Sequence, residues 1–477
     1  MGTSDYTRRD FLKTAGLGAA ALALPGCANV LVKHGSNKAP RKPNIIYILT
    51  DDLGYGDLGC YGQKRIRTPN LDRMAAEGIR FTDHYAGSTV CAPSRCALMT
   101  GLHMGHALVR GNREARPMGQ YPLPADTTTV AKLLKQAGYA TALIGKWGLG
   151  GPDSTGIPNR QGFDYFFGYL CQRHAHNYYP EFLFRNEERV PLSGNRVAEP
   201  RLDGAGFAVE RAQYSHDLLA REALAFVERS RDNPFFLYLA LTIPHANNEG
   251  GPKGMEVPST EPYANEDWPE PQKGHAAMIT RMDRDIGRLL AKIRELGLDE
   301  ETLVIFTSDN GPHREGGTDP EFNDSNGPLR GIKRDLYEGG IRVPLIARWP
   351  GRIRPGDESD HVSAFWDFLP TVCEIAGVKP YEGTDGLSYL PALFGGEQKE
   401  HEFLYWEFKS IQAVRMGDWK GIRFGTKSKL ELYDLKNDMG ENNDIAGKHP
   451  DIVARIEACL KTARTDSEFW PVLETAG

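Results

Sequence analysis

The sequence has no C-x-x-C pair, no long basic tract, no internal repeat and no low-complexity segment. Its seven cysteines are scattered over 477 residues, which signals neither a zinc ribbon nor a disulfide framework. An odd count leaves at least one cysteine with another fate. A net charge of -6 without a basic run argues against nucleic acid as a partner. The apolar stretch at residues 15–24 is too short to span a bilayer as a stable anchor. The remaining composition, 40% hydrophobic and 25% charged, is that of a soluble globular protein, and the length predicts one large domain with a smaller one.

Arg8-Arg9 precede that apolar stretch, so residues 1–27 resemble a twin-arginine export signal. Leu24-Pro25-Gly26-Cys27 resembles a lipoprotein box and makes Cys27 a candidate for lipidation, although proline before the glycine is atypical. The signal implies export machinery as a partner and a periplasmic or lipid-anchored location in a bacterial envelope. Residues 28–42 read as a linker.

From residue 43, β-branched apolar runs alternate with amphipathic stretches, the pattern of an α/β domain whose mostly parallel sheet is flanked by helices. Strands are expected at 44–49, 139–144, 235–241, 303–306 and 341–347. Helices are expected from Thr68-Pro69 to Gly78, at 128–137, at 215–231 with Ser215 as cap, and at 275–296. This domain extends to about residue 395. Four short strand-like runs (403–408, 413–416, 420–424, 430–435) and a helix at 450–463 predict a small antiparallel subdomain over 396–477.

Four predicted strands end in polar groups: Asp51-Asp52, Lys146, His245 and Asp309-Asn310. Open α/β sheets bind ligands beyond the carboxyl ends of their strands. The oxygen-only set Asp51, Asp52, Asp309 and Asn310 favours a hard cation, Ca²⁺ or Mg²⁺, over zinc or copper. Taken singly, each pair is also a common turn sequence.

Residues 91–101 read Cys-Ala-Pro-Ser-Arg-Cys-Ala-Leu-Met-Thr-Gly. Pro93 suits a first helical turn, which places Cys91 at a helix N-terminus where negative charge is stabilised, and Arg95 one turn on. A buried structural cysteine is the plain alternative. The C-x-P-S-R run followed by Thr100-Gly101 resembles the signature of the type I sulfatases, whose cysteine is oxidised to formylglycine.

That resemblance implies an alkaline-phosphatase-like fold and hydrolysis of sulfate esters of small molecules or glycans. It implies Ca²⁺ held by Asp51, Asp52, modified Cys91, Asp309 and Asn310, with Arg95, Lys146, His245 and Lys333 in sulfate binding and catalysis. It also implies a maturation enzyme that makes the formylglycine before export. A thiol suits a hard cation poorly, whereas an aldehyde hydrate offers oxygen. One hydroxyl of the hydrate is expected to attack sulfur in line, and His245, assisted by Lys333, to protonate the leaving alcohol. The second hydroxyl then expels sulfate, a step a serine cannot perform.

One departure stands out. The family usually reads Gly-Lys-Trp-His-Leu-Gly, and residues 145–150 here read Gly-Lys-Trp-Gly-Leu-Gly. Gly148 therefore lacks the imidazole that contacts the formylglycine in the family. Candidate sugar contacts, chosen by chemistry and nearness in sequence, are Arg110, Asn112, Arg173, His174, His176, Asn177, His313 and Arg314. The rival readings are a phosphonate or phosphate-ester hydrolase of the same superfamily and a non-catalytic glycan-binding relative.

Overall fold

The computed structural model describes residues 41–474, so the export signal, Cys27 and most of the linker lie outside the described residues. Ten strands share one sheet: β1 (Asn44–Asp51), β2 (Ile79–Phe81), β3 (Ala140–Lys146), β4 (Tyr165–Tyr169), β5 (Phe182–Arg185), β6 (Glu188–Pro191), β7 (Phe235–Pro244), β8 (Thr302–Ser308), β9 (Leu345–Arg348) and β10 (Asp357–Ser359). Their order is β10-β2-β9-β8-β1-β7-β3-β4-β5-β6. The five central strands from β8 to β4 run parallel, and antiparallel pairs flank them.

Alternation along the strands divides the core. Ile45, Tyr47 and Leu49 face one layer, packed with Leu98, Val130 and Val372 of helices Cys91–Thr100, Val130–Gln136 and Phe368–Ala376. Ile46 and Ile48 face the other, packed with Leu71, Leu219 and Ile286 of helices Pro69–Ala76, Ser215–Ser230 and Glu270–Glu295. Sheet register sets the level of the strand ends. Thr50 pairs with Ser308, Asp51 with Pro244, and Ala240 with Gly145, so Asp51, Lys146, His245 and Asp309 emerge side by side.

The small sheet Leu404–Phe408, Ile411–Met416, Trp419–Arg423 and Glu431–Asp434 is antiparallel throughout, as expected. One face packs on helix Pro450–Thr462 through Val414, Leu432 and Ile456. The other, through Trp406, Ala413 and Ile422, joins the core of the large sheet.

Three expected elements differ. The run 341–347 holds a helical turn, Glu338–Ile341, and only then β9, because Pro344 has no N–H for a ladder. The helix expected at 275 begins at Glu270. Gly274 lies inside this helix at a close approach, since a Cβ there would lie 2.7 Å from the Met255 carbonyl oxygen. Ser215 is the first helical residue rather than the cap; Tyr214 holds that position and no side chain caps the helix.

A buried ion network locks the small sheet to the segment that follows Lys333. Lys420 Nζ lies 2.8 Å from Glu338 and 2.9 Å from Glu441, and Arg342 lies 3.2 Å from Glu338. Burial pushes the Glu338 carboxyl up, but Lys420 and Arg342 outweigh it and hold it down at about 2. Removing the shared cation strands buried Glu441 and leaves Glu338 with Arg342. Lys420→Met is therefore expected to cost about 3–5 kcal/mol, read by urea denaturation; a loss below about 1 kcal/mol would show the network to be dispensable.

Candidate active site

Asp51 closes β1, and Asp52 follows it with φ +66. That left-handed step, tolerable for aspartate, breaks the strand alternation, so both carboxylates turn into the same pocket. Lys146 Nζ sits 2.5 Å from Asp51 Oδ2, and Lys333 Nζ sits 2.7 Å from Asp52 Oδ2. Asp309 Oδ1 accepts from the Asp52 backbone N–H at 3.2 Å, and Asn310 Nδ2 donates to Asp52 Oδ1 at 2.7 Å. Cys91 opens its helix, and its Sγ donates to Asp51 Oδ1 at 3.1 Å. Side-chain ligand atoms of Asp51, Asp52, Cys91 and His245 all lie within 4.8 Å of one another.

Arg95 reaches back as expected, but to the acids. Its Nε and one terminal nitrogen converge on Asp309 Oδ2 at 3.1 and 2.8 Å, and the other terminal nitrogen donates to the Lys146 carbonyl at 2.8 Å. All three guanidinium nitrogens are engaged, so Arg95 fixes the acid layer and the backbone that carries Lys146.

Electrostatics corrects one expectation. The helix N-terminus favours a thiolate at Cys91, yet burial, then the Asp51 charge, drives that thiol well above its ordinary range. As a thiol, Cys91 stays protonated. Burial also pushes Asp51 up, but Lys146, with Arg95 and Lys333, pulls it well below the usual carboxylate range. Asp309 goes the other way, to about 7, through burial and the neighbouring Asp51 charge. His245 is held neutral by burial and by Lys333. Its Nδ1–H donates to the Ala246 carbonyl at 2.7 Å, which leaves the Nε2 lone pair to accept from Lys333 Nζ at 3.0 Å.

The donor set fits a hard dication. Asn310 Oδ1 is buried with no hydrogen-bond partner, an acceptor that a cation would satisfy. Four carboxylates (Asp51, Asp52, Asp309, Glu315) meet four cations (Arg95, Lys146, Lys333, Arg334), a balanced set. A bound dication makes it positive, the sign an anionic ester requires.

Among the candidate sugar contacts, His176 stacks on His245 (ring centroids 4.7 Å apart, 13° between planes), and its Nδ1 meets Glu249 at 3.3 Å. His313 lies 5.8 Å from the His245 ring, and Arg173 pairs with Glu114, Asp203 and Glu249 around the rim. The others pack against or pair with other parts of the chain. His174 is buried among Tyr169 and Phe182, where burial pushes its imidazole down to about 3, and Asn177 is buried and accepts from the Tyr179 N–H. Arg110 is buried against Glu407 and the Thr465 carbonyl, and Arg314 is an exposed partner of Glu321. Asn112 Oδ1 accepts from Ala92 N–H at 3.0 Å and so caps the helix that Cys91 opens.

Sequence reasoning missed Glu315, which lies 3.5 Å from Lys333 and 3.9 Å from His245 and is held down at about 2, burial being outweighed by Lys333 and Arg334. Its signal was its place two residues after His313, on the loop leaving the Asp309-Asn310 strand end. The other omission is Gln172. Gly148 has φ +82, and a Cβ there would meet Gln172 Nε2 at 2.8 Å and Cγ at 3.0 Å. The Gln172 amide is buried, and its Nε2 has no partner.

Gly148→Ala is therefore expected to lower stability by more than the 1–2 kcal/mol of a left-handed backbone alone. In a Gln172→Ala background, thermal denaturation should find only the backbone part remaining. Equal losses in both backgrounds would mean that Gln172 does not crowd this position.

A family model described as Sulfatase matches residues 43–378, a model described as N-sulphoglucosamine sulphohydrolase, C-terminal, matches 332–466, and a twin-arginine translocation signal model matches 5–25. Human arylsulfatase A is 33% identical over 87% of this chain and 87% of its own length. The N-acetylgalactosamine-6-O-sulfatase of Bacteroides thetaiotaomicron is 31% identical over 93% of this chain and 97% of its own. The solved structure of Ps i-CgsB with k-i-k-neocarrahexaose superposes with a TM-score of 0.75 at 28% identity, covering 89% of this chain and 94% of that one. The signal match marks an exported protein. With the acid cluster at the sheet edge, the matched signature helix and these full-length likenesses, the chain belongs to the formylglycine-dependent sulfatases, sulfuric ester hydrolases of alkaline-phosphatase-like fold.

Proposed function

We propose that this sulfatase removes sulfate from sulfated carbohydrates, using formylglycine made from Cys91 and one Ca²⁺ held by Asp51, Asp52, Asp309, Asn310 and the modified residue. The carrying observation is the state of Cys91: a buried thiol hydrogen-bonded to Asp51, in an otherwise oxygen-donor cluster, is unsuited both to thiolate attack and to a hard cation. The carbohydrate class rests on likeness to the N-acetylgalactosamine-6-O-sulfatase and to the carrahexaose-bound structure. When present, the cation polarises the ester oxygens, and the hydrated aldehyde supplies an oxygen nucleophile.

The chain's own residues do the rest. Lys146 and Lys333, buried beside Asp51 and Asp52, are placed to hold sulfate oxygens in a setting where burial strengthens the attraction. Arg95 keeps the acids and Lys146 in register. Lys333 and His245 share a hydrogen bond, and this pair delivers the proton to the leaving sugar oxygen. Glu315 and Asp52 flank the pair and keep Lys333 charged. The maturation enzyme acts on Cys91 before export, and Cys27 is the site of any lipid anchor.

Peptide mass spectrometry of active protein should find formylglycine at position 91, and Cys91→Ala should abolish turnover. Unmodified cysteine in fully active protein would refute the mechanism. His245→Ala should slow release of sulfate from a sugar by about 10²–10⁴-fold and slow an aryl sulfate with a good leaving group much less; equal losses would contradict proton delivery by this pair. A panel of sulfated mono- and disaccharides, set against matched phosphate esters, should show preferential sulfate release, and preferential phosphate turnover would favour the phosphoesterase reading.

A further inference from the structure

We propose that a cleft beside Cys91 binds the sugar adjoining the sulfated one, and that this neighbouring sugar is anionic. The inference rests on the carbohydrate reading above and adds to it a second subsite with its own chemistry.

The cleft has a volume of about 520 Å³, within the range of ligand sites. Its walls are the 110–113 loop, the hairpin turn at Phe408-Lys409, Arg334 and the tail at 469–473. Val90, which directly precedes Cys91, lines it, as does Asn112, whose side chain caps the helix that Cys91 opens. A glycan whose sulfate lies at residue 91 therefore has its next unit at the mouth of this cleft.

The lining carries two signals. The first is aromatic. Phe469 is 49% exposed, and Trp470 is fixed beside it by an Nε1 hydrogen bond to the Leu108 carbonyl and an edge contact with Tyr121. Large apolar groups left open in a concave wall mark a binding surface. The second is charge. Arg110, Arg113, Arg334 and Lys409 face the single acid Glu407, and Glu407 is already matched by Arg110 and Arg464. Among the described residues, Arg113 and Lys409 form no ion pair; their charges rest over the rings of Phe469 and Phe408, at 5.4 and 5.7 Å. Cations without counter-charges, in a chain of net charge -6, select an anionic occupant, a sugar with a carboxylate or a second sulfate.

The test compares kcat/KM for the best sulfated monosaccharide of the panel with that for the same sugar extended by a uronic acid, by a sulfated sugar or by a neutral sugar. The two anionic extensions should be preferred, and Arg113→Ala/Lys409→Ala should lower the ratio of anionic disaccharide to monosaccharide about tenfold. Phe469→Ala should lower the ratio for every extension, and added NaCl should erode the preference of wild type more than that of the double variant. A ratio unchanged in these variants, or equal turnover of the monosaccharide and its anionic extensions, would overturn the cleft assignment while leaving the carbohydrate reading intact. Turnover of an aryl sulfate with none of any sulfated sugar would instead defeat the carbohydrate reading itself.

Discussion

Crowding of buried carboxylates at one sheet edge is the constraint on which the site depends. Asp51, Asp52 and Asp309 are brought together because β1 lies between β7 and β8 in parallel register, and every strand there ends at the same level. Like charges so close and so dry are tolerable only with compensation. Arg95 and the two lysines provide part of it, and the raised Asp309 carboxyl and the unpartnered Asn310 Oδ1 show where more positive charge belongs. The same lysines that balance the acids are then available to an anionic ester once a dication takes over that balance.

The second layer of the design is how Lys333 is held. Its loop runs directly into the Glu338 turn, which is clamped by Lys420 and Arg342, and Lys420 belongs to the small C-terminal sheet. The antiparallel sheet thus acts on the active site at a distance, by fixing the segment that carries a cation. It also supplies Glu407 and Lys409 to the cleft beside Cys91.

Much of this was legible in sequence because strand ends and turn residues are local signals. Asp51-Asp52, Lys146, His245 and Asp309-Asn310 each follow an apolar run, and a parallel sheet necessarily aligns such ends. Proximity along the chain was a poorer guide to the rim. His174 and His176 lie two residues apart, but one is enclosed by aromatic rings while the other stacks on His245. Arg110 and Asn112 look like free polar groups and instead tie down the C-terminal segment and the Cys91 helix. Gln172 over Gly148 is a contact across loops, for which no sequence spacing gives a sign.

The central claim is that the strand-end acids form a cation site, and calorimetric titration of chelator-treated protein with Ca²⁺ tests it most directly. The account predicts one Ca²⁺ per chain with a raised thermal midpoint, both lost in Asp52→Asn. Absence of binding, or binding that Asp52→Asn leaves unaltered, would contradict it.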